Sequence, residues 1–218
     1  MKLGILGGTF NPIHLAHLRI AEEVREARAL DRVLFIPAAV PPHKPLVGDI
    51  PFAQRLAMVE AAIADQPAFA ASDIENRRPG KSYSVHTLEA LRQEYPGAEF
   101  FFIIGLDSFR DLSTWKEYQR LFELTHLVVA ARPGVAEGDP KSLLPIAIMK
   151  DFCYNRASNS LEHHSGNSIF FVEETLLDIS STRIRRMVAE GRSIRYLVPA
   201  PVLDYIDRHG LYRGQERF

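Results

Sequence analysis

The chain has one cysteine, one tryptophan and no long apolar run. A single thiol, Cys153, makes no internal disulfide and supplies no thiolate-rich zinc site, which suits a reducing compartment. It reads as a small buried apolar residue. No apolar stretch approaches the roughly 18–20 residues that cross a bilayer. The N-terminal run stops at Gly7-Gly8, too early for a secretory signal. No membrane partner and a cytoplasmic location are therefore expected. Charge of one sign is not in excess either: 26 Lys and Arg face 27 Asp and Glu, a net charge of −1, so the totals give no reason to expect nucleic acid. Internal repeats, low-complexity tracts and an obvious interdomain linker are also missing. What is present is 218 residues, 46% hydrophobic and 24% charged, which suits one ordinary folded domain over 1–218 rather than a disordered or fibrous chain.

Short apolar runs alternate with amphipathic ones. This predicts an α/β fold: a Rossmann-like, doubly wound, mostly parallel sheet with helices on both faces. Strands are expected over 3–6, 33–36, 69–71, 99–104, 127–130 and 169–172. The run Phe100-Phe101-Phe102-Ile103-Ile104 is apolar on both faces, as a central strand should be. Helical spacing begins at Leu15 and recurs over 52–64, with Leu56, Val59 and Ile63 on one face, and over 83–94, 181–190 and 201–209. Pro96-Gly97, Gly191 and Gly210 supply stops. Residues 135–168 read as a peripheral insertion and 213–218 as a flexible tail.

Two familiar phosphate loops can be set aside. Gly80-Lys81-Ser82 looks like the end of a P-loop, but Glu75 stands where that motif needs glycine. Gly4, Gly7 and Gly8 lack the G-x-G-x-x-G spacing of dinucleotide folds. More specific is Gly7-Gly8-Thr9-Phe10-Asn11-Pro12-Ile13-His14-Leu15-Ala16-His17. Glycines at a strand's carboxyl end let backbone approach a phosphate, and the following helix begins with free N–H groups that favour an anion. His14 and His17, three apart, project from one face of the first turn as two donors for a phosphate. Zinc binding would need further ligands, which no H-E-x-x-H or cysteine cluster supplies. No protein-held metal site is expected. Near the C-terminus, Ser180 or Ser181 can cap a helix bearing Thr182 and Arg185, offering a second helix N-terminus and a planar guanidinium to an anion.

These two segments resemble the loop G-G-T-F-[DN]-P-x-H-x-G-H and the segment I-S-S-T-x-I-R of the nucleotidyltransferase superfamily, the latter as Ile179-Ser180-Ser181-Thr182-Arg183-Ile184-Arg185. Ala16 stands where that family usually has glycine. The resemblance implies that Gly7, Gly8, Thr9, Phe10, His14, His17, Ile179, Ser181, Thr182 and Arg185 hold ATP, with His14, His17 and Arg185 catalytic. Between the motifs, Val40-Pro41-Pro42-His43-Lys44, Ser82-Tyr83-Ser84-Val85-His86-Thr87-Leu88, Ile104-Gly105-Leu106-Asp107-Ser108, Thr114-Trp115-Lys116-Glu117-Tyr118 and Arg132-Pro133-Gly134 are similar to bacterial nicotinate mononucleotide adenylyltransferases. By that likeness Trp115 stacks on a pyridine ring, while Ser84, Thr87 and backbone amides near Trp115 meet its carboxylate. His86 replaces an aspartate common in that family. His43, Lys44 and Arg132 are cations that could cradle the acceptor's phosphate, or simply solvated surface charge. Asp107, beside Gly105, is open between binding ribose hydroxyls, orienting the magnesium-bound nucleotide, and capping a helix.

The expectation is an enzyme that moves AMP from ATP to nicotinate mononucleotide, releasing pyrophosphate and making the deamido dinucleotide of NAD biosynthesis, with Mg²⁺ carried by ATP. The alternatives are a relative using nicotinamide mononucleotide or another phosphorylated acceptor, and a non-catalytic adenine-nucleotide sensor. The sequence leaves homo-oligomerisation open.

Overall fold

The structure, a computed structural model, describes residues 1–42, 50–131, 140–173, 175 and 177–214. In chain order its elements are β1 (Lys2–Gly8), α1 (Leu15–Arg28), β2 (Arg32–Pro37), α2 (Phe52–Ile63), β3 (Phe69–Ala71), α3 (Ser84–Glu94), β4 (Glu99–Gly105), α4 (Leu106–Arg110), α5 (Tyr118–Leu124), β5 (His126–Ala131), β6 (Phe152–Asn155), β7 (Ser160–His163), β8 (Ser168–Glu173), α6 (Ser181–Ala189) and α7 (Ala200–Arg208). Short 3-10 turns lie at Leu112–Thr114, Pro140–Leu143 and Ile146–Asp151. The chain divides into two compact units, each assembled from separate stretches.

The first unit comprises Met1–Gly7, Ile20–Val33 and Tyr83–Leu176. Its strands run in the order β1-β4-β5-β8-β7-β6. The first three pairings are parallel, with Ile5 opposite Phe102, Ile103 opposite Val128 and Val129 opposite Phe171. Parallel neighbours need long crossovers, and the β4 to β5 connection supplies α4 and α5. Phe100, Phe101, Phe102, Ile103 and Ile104 are all buried, the double-sided burial that their apolar run predicts. The fold is α/β with a mostly parallel, mixed, Rossmann-like sheet.

From residue 140 onward, the segment read as a peripheral insertion adds two antiparallel strands, β7 on β8 and β6 on β7. It also contributes Ile148, Phe152 and Leu161 to the core. Here one expectation fails: Cys153 is exposed. Side chains alternate along a strand, so with Phe152 turned inward Cys153 faces outward, on the same face as its cross-strand partner Glu162.

The second unit comprises Gly8–Arg19, Leu34–Ser82 and Leu177–Phe218. Ser72 N–H donates to the Phe35 carbonyl at 2.9 Å, and the Phe35 and Phe69 rings lie 5.1 Å apart. Helix α2 packs against α7, burying Met58, Val59, Ala62 and Ile63 from one and Val202 and Ile206 from the other. Leu56, expected on that buried face, is only half-buried, and Arg55 takes the inward position. Gly191 and Gly210 adopt left-handed φ of 68° and 59°. Each ends its helix with a bond reaching back five residues, Arg192 N–H to Met187 O at 2.8 Å and Leu211 N–H to Ile206 O at 3.0 Å. Of the tail expected over 213–218, Arg213 pairs with Asp207 at 2.8 Å, and 215–218 lie outside the described residues. Among the described residues, no helix is long and apolar enough to cross a membrane.

Candidate active site

Apart from Gly7, which ends the first stretch of the first unit, both sequence motifs fall in the second unit. The Gly8 carbonyl accepts from Ala38 N–H at 2.8 Å, fixing the start of the loop that leads into α1. Phe10 has φ of 47°, a left-handed conformation that costs a bulky side chain roughly 1–2 kcal/mol. Its ring is buried, 5.1 Å and edge-on from the His17 ring and 6.1 Å from Phe35. A Cβ on Gly8 would come within 3.1 Å of that ring, so a side chain there would have to push the ring aside by a few tenths of an ångström. The Asn11-Pro12 peptide is cis.

Helix α1 starts at Leu15, so His14 precedes it and only His17 lies in its first turn. The two imidazoles are nonetheless brought together, stacked at 3.7 Å with 22° between planes. They are not two charged donors. Burial lowers His14 to about 4, and burial together with the neighbouring His14 holds His17 well below the ordinary imidazole value. Both rings are neutral near pH 7. His17 Nδ1 accepts from His14 N–H at 3.3 Å, which places the proton of the neutral His17 ring on Nε2. His14 Nδ1 is buried and has no partner among the described residues.

The second motif is tied to this loop by side chains. Ser180, not Ser181, is the N-cap of α6, its hydroxyl accepting from Arg183 N–H at 3.2 Å. That frees Ser181 to donate to the Pro12 carbonyl at 2.9 Å. Arg185 lies in the second turn of α6, and its Nη1 donates to the Asn11 carbonyl at 2.8 Å while Nη2 reaches Thr182 Oγ1 at 3.3 Å. Contacts spanning more than 160 residues of sequence thus join the loop and α6 within one compact unit.

Three residues of this cluster carried no role in the sequence reading. Arg55 is fully buried and donates from Nη1 to the Thr9 carbonyl at 2.8 Å. The Tyr212 hydroxyl donates to Asn11 Oδ1 at 2.7 Å. Burial raises the Tyr212 phenol despite the nearby Arg185 and Arg55 charges, so it remains a protonated donor. A signal for Arg55 existed: it shares helical spacing with Met58, Val59 and Ala62 and so breaks an apolar stripe. Asn11 stands inside the first motif, but its pairing with Tyr212 depends on tertiary structure.

Other expected residues belong to the first unit. Trp115 is half-buried, its ring 6.2 Å from Phe102 at a steep angle. The Thr114 and Trp115 amides already donate within their own turn, to Asp111 O at 2.9 Å and Leu112 O at 3.0 Å, which leaves neither for a carboxylate. Lys116 Nζ sits 4.9 Å from the centre of the Tyr83 ring, and the Tyr83 and His86 rings meet edge-on at 5.7 Å. The Trp115 turn is therefore next to the start of α3, where Ser84 is the first helical residue. Thr87 is buried and turns its hydroxyl back to the Tyr83 carbonyl at 3.3 Å. Asp107 does not cap a helix: Gly105 is the N-cap of α4, and the Asp107 carboxylate is exposed, 3.8 Å from Arg110. His43, Lys44 and Arg132 lie outside the described residues.

Comparison with known proteins bears on the family and the fold. The sequence profile described as cytidylyltransferase-like matches residues 5–187. A protein of Syntrophotalea carbinolica named "Probable nicotinate-nucleotide adenylyltransferase" is 69% identical over 217 residues, covering 100% of both chains. One of the same name from Geobacter sulfurreducens is 58% identical, covering 97% of this chain and 98% of its own. Among solved structures, the nicotinic acid mononucleotide adenylyltransferase of Plasmodium falciparum complexed with NaAD superposes with a TM-score of 0.73 over 97% of each chain at 18% identity, a likeness of fold. The paired motifs, the Rossmann-like sheet and full-length identity to these relatives converge: the chain belongs to the nicotinate-nucleotide adenylyltransferases of the cytidylyltransferase-like family.

Proposed function

We propose that this chain transfers AMP from ATP to nicotinate mononucleotide, giving nicotinate adenine dinucleotide and pyrophosphate for NAD biosynthesis. The observation that carries the reading is the set of hydrogen bonds joining the His14 and His17 loop to the Ser181 and Arg185 helix. The identity of relatives bearing that name supports the acceptor.

The nucleophile is an acceptor phosphate oxygen, already ionised because a second phosphate pKa is roughly 6. It bonds to the α-phosphorus of ATP as the bond to the bridging oxygen of the pyrophosphate breaks, and pyrophosphate leaves with that electron pair. No side chain need remove a proton. The protein must align two anions and stabilise charge growing on the α-phosphate and leaving group. His17 does this as a neutral donor through Nε2–H, which spares the free enzyme a buried imidazolium. The backbone of Gly7, Gly8, Thr9 and Phe10 and the start of α6 at Ile179, Ser181 and Thr182 contact the triphosphate. Arg185 adds positive charge beneath the loop. Gly105 and Asp107 serve the nucleotide's ribose. Mg²⁺ enters with ATP as part of the substrate and offsets charge on the phosphate oxygens.

On the acceptor side, Trp115 provides an aromatic face, with Ser84 nearby and Thr87 supporting the helix from within. His43, Lys44 and Arg132 belong to the same proposal as phosphate-binding cations, residues 1–218 as a single working domain, and the cytoplasm as the location. The test is competition between nicotinate and nicotinamide mononucleotides at equal concentration with limiting ATP, the products separated by chromatography. Predominant nicotinate dinucleotide supports the reading. Predominant nicotinamide dinucleotide, or consumption of neither, overturns it.

A further inference from the structure

The loop's carbonyls are gripped on consecutive sides by side chains that the expected machinery only partly includes. Arg55 from α2 takes Thr9 O, Arg185 from α6 takes Asn11 O, and Ser181 takes Pro12 O. Tyr212, beyond α7, takes the Asn11 side chain. The two guanidinium bonds bracket Phe10, the residue with φ of 47°. Tyr212 is itself left-handed, with φ of 63°, and 2% exposed. Two bulky residues in a disfavoured backbone region persist only where their surroundings over-determine them, and such strain concentrates where geometry must be held for function. Arg55 is an unusual residue to place at 0% exposure. Its Nε and Nη2 have no hydrogen-bond partner among the described residues, so Nη1 on Thr9 O is the bond its position secures. A core hydrophobe would fill that place at less cost if packing were its only purpose.

We infer that Arg55 and Tyr212 are positioning residues for adenylyl transfer: they act through Thr9 and Asn11 to set the backbone loop that receives the triphosphate. This rests on the nucleotide reading of the loop. Their effect falls on ATP and leaves the pyridine nucleotide untouched, because among the described residues their side-chain hydrogen bonds are to the loop. Tyr212→Phe removes a single hydroxyl and keeps the ring, so the buried packing survives.

The experiment uses the full chain and two readouts. Calorimetric titration with MgATP gives affinity independently of turnover, and steady-state kinetics give KM for each substrate and kcat. Tyr212→Phe and Arg55→Lys are expected to weaken ATP binding about tenfold, the order expected when a buried acceptor loses its partner. KM for the acceptor should stay within about twofold, since the side-chain hydrogen bonds of both residues among the described residues are to the loop. In an Asn11→Ala background, Tyr212→Phe should add nothing further, because the hydroxyl acts through Asn11. Should Arg55→Lys fail to fold, Tyr212→Phe and its cycle with Asn11 decide alone. Unchanged ATP affinity in folded Tyr212→Phe, or a full additional loss in the Asn11→Ala background, overturns the proposal, as does wild type that binds no ATP. Wild type that binds ATP tightly yet makes no dinucleotide would instead refute the acceptor assignment, and the affinity contrast would still decide the positioning role.

Discussion

A buried, neutral histidine beside the nucleotide loop makes stability fall with acid in a window that the structure defines. His14 is 5% exposed, and its imidazole is lowered from 6.5 to about 4 by burial. Between those values the unfolded chain binds a proton that the folded chain refuses, so stability rises with pH there and is lost as pH falls from about 6.5 towards 4. At pH 5 the loss from this one ring is about 2 kcal/mol, which for a chain of this size lowers Tm by about 4–8 °C. His17 moves in the same direction. The assay is thermal unfolding of wild type and His14→Gln between pH 7.5 and 5. His126 and His163, also held below their ordinary values by burial, are common to both proteins and cancel in the difference. Whatever offset the variant shows at pH 7.5, the wild type should lose those further 4–8 °C relative to it by pH 5. A difference in Tm that stays flat across the window, or moves in the variant's disfavour, would refute the claim that His14 is buried in its neutral form.

Three further outcomes are expected. His17→Ala should lower kcat by about 10²-fold or more, as loss of one preorganised donor does, with folding little changed by calorimetric melt; near-normal turnover would remove His17 from the chemistry. Trp115→Ala should reduce kcat/KM for the acceptor about two- to tenfold through lost stacking and leave KM for ATP unchanged, so equal losses for both substrates would contradict an acceptor role. Cys153 should react with a thiol reagent in the native protein at the rate of an exposed cysteine and without loss of activity, whereas labelling only after denaturation would contradict its outward position on β6.

Much of this molecule was readable because its signals are local. The double-sided apolar run of β4, the stops at Gly191 and Gly210, and the serine cap of α6 each depend on a few neighbouring residues. The two motifs were readable for the same reason. What escaped was set by tertiary structure. Cys153 faces outward because of the register of β6 on β7, which no composition argument contains. The histidines are neutral because the fold stacks and buries them, whereas their spacing alone suggested two donors of equal standing. Asn11 and Tyr212 meet across 201 residues, and Arg185 spends its guanidinium on a loop carbonyl that only the folded chain brings within reach.

The central claim concerns which phosphorus is attacked, and isotope placement tests it most directly. With nicotinate mononucleotide as acceptor, ATP labelled at the α-phosphorus should pass its label into the dinucleotide, while label at the γ-phosphorus should leave entirely as pyrophosphate. Gamma label recovered as inorganic phosphate, or alpha label that never reaches the dinucleotide, would contradict adenylyl transfer by this protein.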